Sequence, residues 1–240
     1  MMLEINGISK SFGGLQALKD INLKVDQGTI VGIIGPNGAG KTTLFNIISG
    51  NYRPDSGSIT FKGEEIAGIL PHKICQKGLT RTYQIPRLFS GLTVIENVMV
   101  GAWSKAKNLD EARLRAERVL DFVEFRGKRD VSAETMMIAD SKRIELAKAL
   151  STEPELLLLD EVMAGLNDVE TKGAIDVIKK ISRQGITVVI IEHVLRVVMT
   201  LCERIFVLQE GNKIAEGTPK EIASDPRVIN AYLGEEYKGI

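Results

Sequence analysis

Over the first sixty residues, apolar and polar positions alternate in short runs broken by turn residues. LEINGISKSF, INLKV, TIVGII and SITFKG have the length and alternation of strands. Gly13-Gly14, Asp26-Gln27-Gly28 and Asp55-Ser56-Gly57 separate them as turns. The period then lengthens, and Thr42 to Ser49 is expected as a helix that Gly50 ends. From Asn108 to Phe125, Leu109, Ala112, Ala116, Val119, Leu120 and Val123 recur at helical spacing. Glu111, Arg113, Arg115, Glu117 and Arg118 lie opposite and read as a solvated face. Another helix is expected from Ser141 to Leu150. Leu156–Leu159 and Ile186–Ile191 are unbroken apolar runs, with a helix expected between them at Val169 to Ser182. Such runs are strands buried on both faces, which implies a parallel sheet covered by helices. RIFVLQEGNKIAEG reads as a hairpin turning at Glu210-Gly211-Asn212, followed by a terminal helix. The simplest organisation is one α/β domain over residues 1–240 with a helical insertion.

Composition narrows the class of function. The chain has 31 basic and 31 acidic residues, so it lacks the strong positive charge of a domain that binds nucleic acid by bulk electrostatics. With 44% hydrophobic and 26% charged residues it is an ordinary globular composition, which excludes disorder. The start, MMLEINGISKSFGG, carries no secretory pattern, and the run Ile186–Ile191 is far short of the ~20 residues a spanning helix needs. The expectation is a cytoplasmic protein. Cys75 and Cys202 stand in no metal-binding spacing and read as two buried thiols in a reducing compartment.

The segment Gly35-Pro36-Asn37-Gly38-Ala39-Gly40-Lys41-Thr42, followed by Thr43, fits the phosphate-loop pattern G-x4-G-K-S/T. It follows an apolar strand and opens a helix, as that chemistry requires. Glycines let successive N–H groups face phosphate oxygens at the helix N-terminus. Lys41 would then meet the β- and γ-phosphates, and the Thr42 hydroxyl would ligate Mg2+. Asp160 ends the strand that begins at Leu156, at the mouth of a parallel sheet where ligands bind. It is expected to hold Mg2+, and Glu161 to act as base toward a water attacking the γ-phosphate.

Together these residues resemble the ATP-binding cassette (ABC) ATPases over essentially the whole chain. GPNGAGKTT and LLLLDE are two of the family's motifs, and TRTYQIPRLFSGLTVIENV between them is similar to its Q-loop. Ala164-Gly165-Leu166-Asn167 stands at the D-loop, IIEH ends on the switch histidine, and KSFGG holds the aromatic. The resemblance implies a P-loop NTPase fold with a mainly parallel core sheet, an N-terminal antiparallel β subdomain and a helical subdomain inserted at about residues 86–150. It implies ATP and Mg2+ as cofactors. Phe12 would stack on adenine, Gln84 would sense Mg2+ and water, and His193 would contact the γ-phosphate. His72 matches no motif and reads as a surface residue.

RTYQIPRLFSGLTVIENVMVG, DEVMAGLN and the tail EGTPKEIASDPRVINAYLGEEY resemble the ATPase subunits of branched-chain amino acid uptake systems, with lipopolysaccharide export ATPases as the nearest competitor. The implied partners are integral membrane permease subunits, a second ATPase subunit and, indirectly, an extracellular or periplasmic binding protein. The implied location is peripheral, on the inner face of the cell membrane. Of Leu88, Phe89, Leu92, Val94 and Ile95, most are expected in the core and a few at the rim of a docking groove.

One motif departs from the family. Where LSGGQ is expected, the chain has Met136-Met137-Ile138-Ala139-Asp140. Met137 offers no donor, and Ile138 and Ala139 add bulk where close backbone approach is wanted. In the family this loop serves the opposite subunit's nucleotide, so a head-to-tail heterodimer with a better signature is favoured over a homodimer. The alternative is a nucleotide-dependent regulatory cassette with weak hydrolysis.

Overall fold

The computed structural model describes the backbone of residues 1–236 and the side chains through residue 232. It divides into two compact units, one formed by Met1–Ile74 with the chain from Thr187 onward, the other by Cys75–Ile186.

In the first unit, β1 (Leu3–Phe12) and β2 (Leu15–Val25) form a hairpin around Gly13-Gly14. β1 also pairs antiparallel with β4 (Ser56–Phe61), which pairs with β5 (Glu64–Glu65). The buried positions of β1 are Leu3, Ile5 and Ile8, a spacing that simple alternation does not allow. A register shift between Ile5 and Ile8, at Gly7 with φ +66°, returns Ile8 to the buried face. β2 is longer than the expected INLKV because ladder pairing with β1 continues through polar residues and the exposed Leu15. Ser56 and Gly57, expected in a turn, lie inside β4. A Cβ on Gly57 would approach the Gly7 backbone to 2.5 Å, so the residue read as a breaker allows close strand contact.

The same unit holds a parallel set. β3 (Ile30–Ile34) lies between β8 (Thr187–Ile191) and β9 (Arg204–Gln209), parallel to both, and β10 (Asn212–Gly217) turns back on β9. Every residue of β3 and β8 is buried, as their unbroken apolar runs require. α1 (Lys41–Ile48) follows β3 and buries Leu44, Phe45, Ile47 and Ile48 before Gly50 ends it at φ +77°. α7 (Leu195–Leu201) packs close to β3, since a Cβ on Gly32 would meet Val198 at 2.8 Å. The expected terminal helix is two, α8 (Pro219–Ser224) and α9 (Pro226–Glu236), because Pro226 cannot continue the first. The end of the tail used in the resemblance, from Tyr237, lies outside the described residues.

α2 (Pro71–Gln76) precedes β6 (Leu79–Arg81), which in the second unit pairs parallel with β7 (Leu156–Asp160). The helices there are α3 (Val94–Ala102), α4 (Leu109–Phe122), α5 (Ile138–Leu150) and α6 (Asp168–Arg183). α4 packs on α3 and α5 through Ala112, Ala116 and Leu120. Leu109, expected on that face, is exposed, because the buried stripe begins a turn later at Ala112. α5 starts at Ile138 rather than Ser141, so Ile138, Ala139 and Asp140 form its first turn.

Of the two thiols, only Cys202 is buried; Cys75 is half-buried beside the Thr80 hydroxyl. Burial pushes the Cys202 thiol up to about 12. Since the thiolate is the nucleophile, alkylation of the native protein at pH 8 is expected to add at most one group, on Cys75. Peptide mass mapping checks this, and an adduct on Cys202 in folded protein contradicts it.

Candidate nucleotide site

The phosphate loop runs from β3 into α1. Three of its glycines adopt left-handed backbone, Gly35 at φ +148°, Gly38 at φ +77° and Gly40 at φ +101°. At Gly35 a Cβ would sit 2.0 Å from the Leu208 carbonyl oxygen, and at Gly40 one would sit 2.6 Å from that of Ala17. Only glycine fits either place. The buried Lys41 curls back into the loop, donating from Nζ to the Gly35 carbonyl at 2.6 Å and the Pro36 carbonyl at 2.8 Å. Its ammonium is thus held within the loop, close to the open backbone N–H groups of the helix start. Thr42 is exposed on the first turn, with Thr43 half-buried behind it.

Of the other expected residues of this unit, His193 lies beside the loop. His193, exposed just past β8, lines a cavity of about 280 Å³ with Gly35, Pro36, Asn37 and Tyr232. Tyr232, on α9, lies in the tail segment of the resemblance, where no role was expected of it. Phe12 is 43% exposed at the end of β1, with its ring edge-to-face on Tyr52 at 5.3 Å and the Lys10 ammonium 5.5 Å from its centroid. An exposed aromatic of this kind is free to stack on a base. His72 is exposed and takes no part.

The second unit carries the acidic elements. Asp160 ends β7, and its Oδ2 accepts from Arg81 at 2.7 Å in a buried ion pair. Its backbone N–H donates to the Thr82 hydroxyl at 3.3 Å. Its other oxygen, Oδ1, is buried without a hydrogen-bond partner among the described residues. A carboxylate with one oxygen anchored and the other unsatisfied suits a cation or its water, so the residues fit the expected Mg2+. Among the described residues no three His, Cys, Asp or Glu cluster as a metal cage.

Glu161 follows with φ +50°, a left-handed conformation unusual for a residue other than glycine. The Gln84 side-chain amide donates to Glu161 Oε2 at 2.5 Å. Gln84, expected as a sensor of Mg2+ and water, therefore holds the expected base directly. Sequence reasoning missed Arg81 and Lys142. Lys142 donates from Nζ to the Glu161 carbonyl oxygen at 2.7 Å. An Arg beside an apolar strand and a Lys in a polar helix turn are both read by default as solvated, so neither had a local signal.

The remaining motifs are placed as follows. Met137 is the N-cap residue of α5 and is 79% exposed, with no side-chain capping bond. Ile138 is half exposed beside it, Met136, Ala139 and Asp140 are partly buried, and Asp140 lies in the first turn where a negative charge favours the helix. Asn167 caps α6 by accepting from the Val169 and Glu170 N–H groups. Beyond Gln84, Val94 and Ile95 are buried, Leu88 and Leu92 half-buried, and Phe89 exposed. Below this segment, burial raises the Glu145 carboxyl and lowers the Lys148 ammonium from their usual ranges.

A loop built to hold phosphates and a strand-end acid pair define a nucleotide-hydrolysing class. Residues 18–164 match the family described as ABC transporter, and residues 212–238 match the family described as branched-chain amino acid ATP-binding cassette transporter. The chain belongs to the ABC transporter family of ATP-binding subunits, and it is an ATPase. It is 40% identical to the high-affinity branched-chain amino acid transport ATP-binding protein BraF of Pseudomonas aeruginosa, over 98% of both chains. It is 37% identical to the corresponding protein LivG of Escherichia coli strain K12, again over 98% of both. Among solved structures it is similar to the ADP conformation of MJ1267, an ATP-binding cassette of an ABC transporter. There the TM-score is 0.87 at 30% identity, covering 97% of this chain and 98% of that one.

Proposed function

We propose that this ATPase powers an importer of branched-chain amino acids through separate membrane permease subunits. The observation that carries the substrate class is the match of residues 212–238, a segment outside the nucleotide motifs, to the branched-chain amino acid family. It favours this reading over lipopolysaccharide export. Among the described residues no helix is long and apolar enough to cross a membrane, so the path for the substrate is assigned to other chains. The chain then works on the inner face of the membrane, served indirectly by a binding protein, as one cassette over residues 1–240 with a helical subdomain at about 86–150.

In this reading Phe12 stacks on the adenine, and Gly35 to Gly40 with Lys41, Thr42 and Thr43 bind the phosphates. Thr42, Asp160 and Gln84 hold Mg2+, which supplies neutralising charge at the phosphates when bound. Glu161 accepts the proton of the attacking water, with its carboxylate oriented by the hydrogen bond from the Gln84 amide to Oε2. His193 contacts the γ-phosphate from the rim of the phosphate-loop cavity.

The second ATPase subunit is a different chain. A signature beginning Met136-Met137 lacks the hydroxyl the opposite nucleotide needs, and losing one such donor costs roughly a hundredfold in rate. Turnover by the purified chain alone is therefore expected to be at least about tenfold below that of the complex with its membrane subunits and second ATPase. Phosphate release measured side by side tests this, and equal turnover by the isolated chain overturns the heterodimer. Leucine uptake into vesicles carrying the assembled complex tests the substrate class.

A further inference from the structure

We propose that Lys142 is a positioning residue that ties the backbone of Glu161 to the helix carrying the signature segment. The inference rests on the reading of Glu161 as the base. Lys142 lies one turn into α5, with 8% of its surface exposed, and its Nζ donates to the Glu161 carbonyl oxygen at 2.7 Å. A buried ammonium is costly unless oxygen ligands surround it, and the Glu161 backbone carbonyl supplies one of them.

The carbonyl it grips belongs to a backbone that would not hold its shape unaided. Glu161 sits at φ +50°, which L-residues with a side chain avoid, and such conformations persist only where surrounding groups enforce them. The same carbonyl accepts the Ala164 N–H at 3.2 Å. Ala164 opens the segment Ala164-Gly165-Leu166-Asn167, so one oxygen joins the base, the following loop and α5. The side chain of Glu161 is held from its far end by Gln84 at 2.5 Å. Lys142 therefore sets the backbone from which the carboxylate projects, while Gln84 sets where it points. The cavity beside Lys142 is lined by Val123, Leu146, Val162 and Leu166 together with Arg143 and Glu170.

The consequence is mechanical. Met137 and Ile138, exposed at the start of α5, are the residues any partner at the signature would press on. A shift of that first turn carries Lys142 with it and moves the Glu161 backbone. The state of the surface at Met137 is thereby relayed to this chain's own base by way of the Lys142–Glu161 hydrogen bond.

The test uses the complex assembled with its membrane subunits and second ATPase. In Lys142→Met, which keeps the stem and removes the donor, kcat is expected to fall about tenfold. KM for ATP and binding of a fluorescent ATP analogue should change less than about twofold, since the phosphate loop is untouched. Hydrogen exchange at the Ala164 amide should accelerate, and Lys142→Arg should restore both kcat and protection. Wild-type kcat with unchanged Ala164 protection in folded Lys142→Met overturns the proposal. If that variant does not fold, Lys142→Gln decides, with reduced kcat at unchanged KM expected and wild-type kcat overturning. Glu161→Gln in the same complex separates the two readings. Retained turnover there removes the base assignment itself. Lost turnover there, beside wild-type kcat in Lys142→Met, overturns the Lys142 proposal alone.

Discussion

Glu161→Gln is expected to bind ATP as the wild type does and to hydrolyse it at least ~100-fold more slowly, the lower range for loss of a general base. The substitution is close to isosteric, and an amide oxygen can still accept from Gln84 where the carboxylate Oε2 now does at 2.5 Å. The left-handed backbone and the carbonyl bonds from Lys142 and Ala164 do not involve the side chain, so the fold is expected to survive. What is lost is the ability to take a proton from water. With binding intact and hydrolysis blocked, ATP should hold two cassettes closed, visible as a longer-lived dimer by light scattering. Nucleotide titration and phosphate release on the same preparation measure both halves of the expectation. Unaltered turnover would remove Glu161 from the mechanism.

Arg81→Met is expected to lower stability more than any surface substitution. Arg81 and Asp160 are 5% and 1% exposed at the side chain and 2.7 Å apart. Removing the guanidinium leaves a buried carboxylate whose Oδ1 already lacks a partner among the described residues. Breaking one side of such a pair costs about 3–5 kcal/mol. For a chain of this size each kcal/mol moves the thermal midpoint by roughly 2–4 °C, so a fall of about 10 °C is expected. Arg81→Lys keeps the charge without the fork and should recover part of it. Scanning calorimetry of the three proteins checks the order. A wild-type midpoint in Arg81→Met would mean that the pair contributes nothing to stability.

Several elements escaped the sequence for identifiable reasons. β6 is three residues, Leu79-Thr80-Arg81, too short for any period to register. α3 reads VIENVMVGA, a β-branched run that propensity alone would make a strand. Thr93 and Glu96 cap it as a helix, and the burial of Val94, Ile95 and Val98 holds it there. In β2 the hairpin ladder overrode a polar side-chain pattern, and in β1 the bulge at Gly7 reset the alternation. Each is a place where pairing or packing outweighs the local pattern.

The groups that act on the site divide along the same line. The phosphate loop, the acid pair after β7 and the histidine after β8 were legible in the sequence because each is a contiguous motif. Its chemistry depends on neighbours along the chain: glycines that let the backbone curl, and an apolar strand that delivers the next residue to the sheet end. The family and the departure at Met136–Asp140 were legible for the same reason. Only the tertiary structure decided that Arg81, 79 residues from Asp160, neutralises it, and that Lys142, 19 residues from Glu161, holds its backbone. Burial makes those contacts strong, and burial belongs to the folded chain rather than to any segment of it. A lysine or arginine in a sequence is solvated by default; enclosed by packed helices and strands, it must find an oxygen. Here the oxygens it finds belong to Asp160 and Glu161.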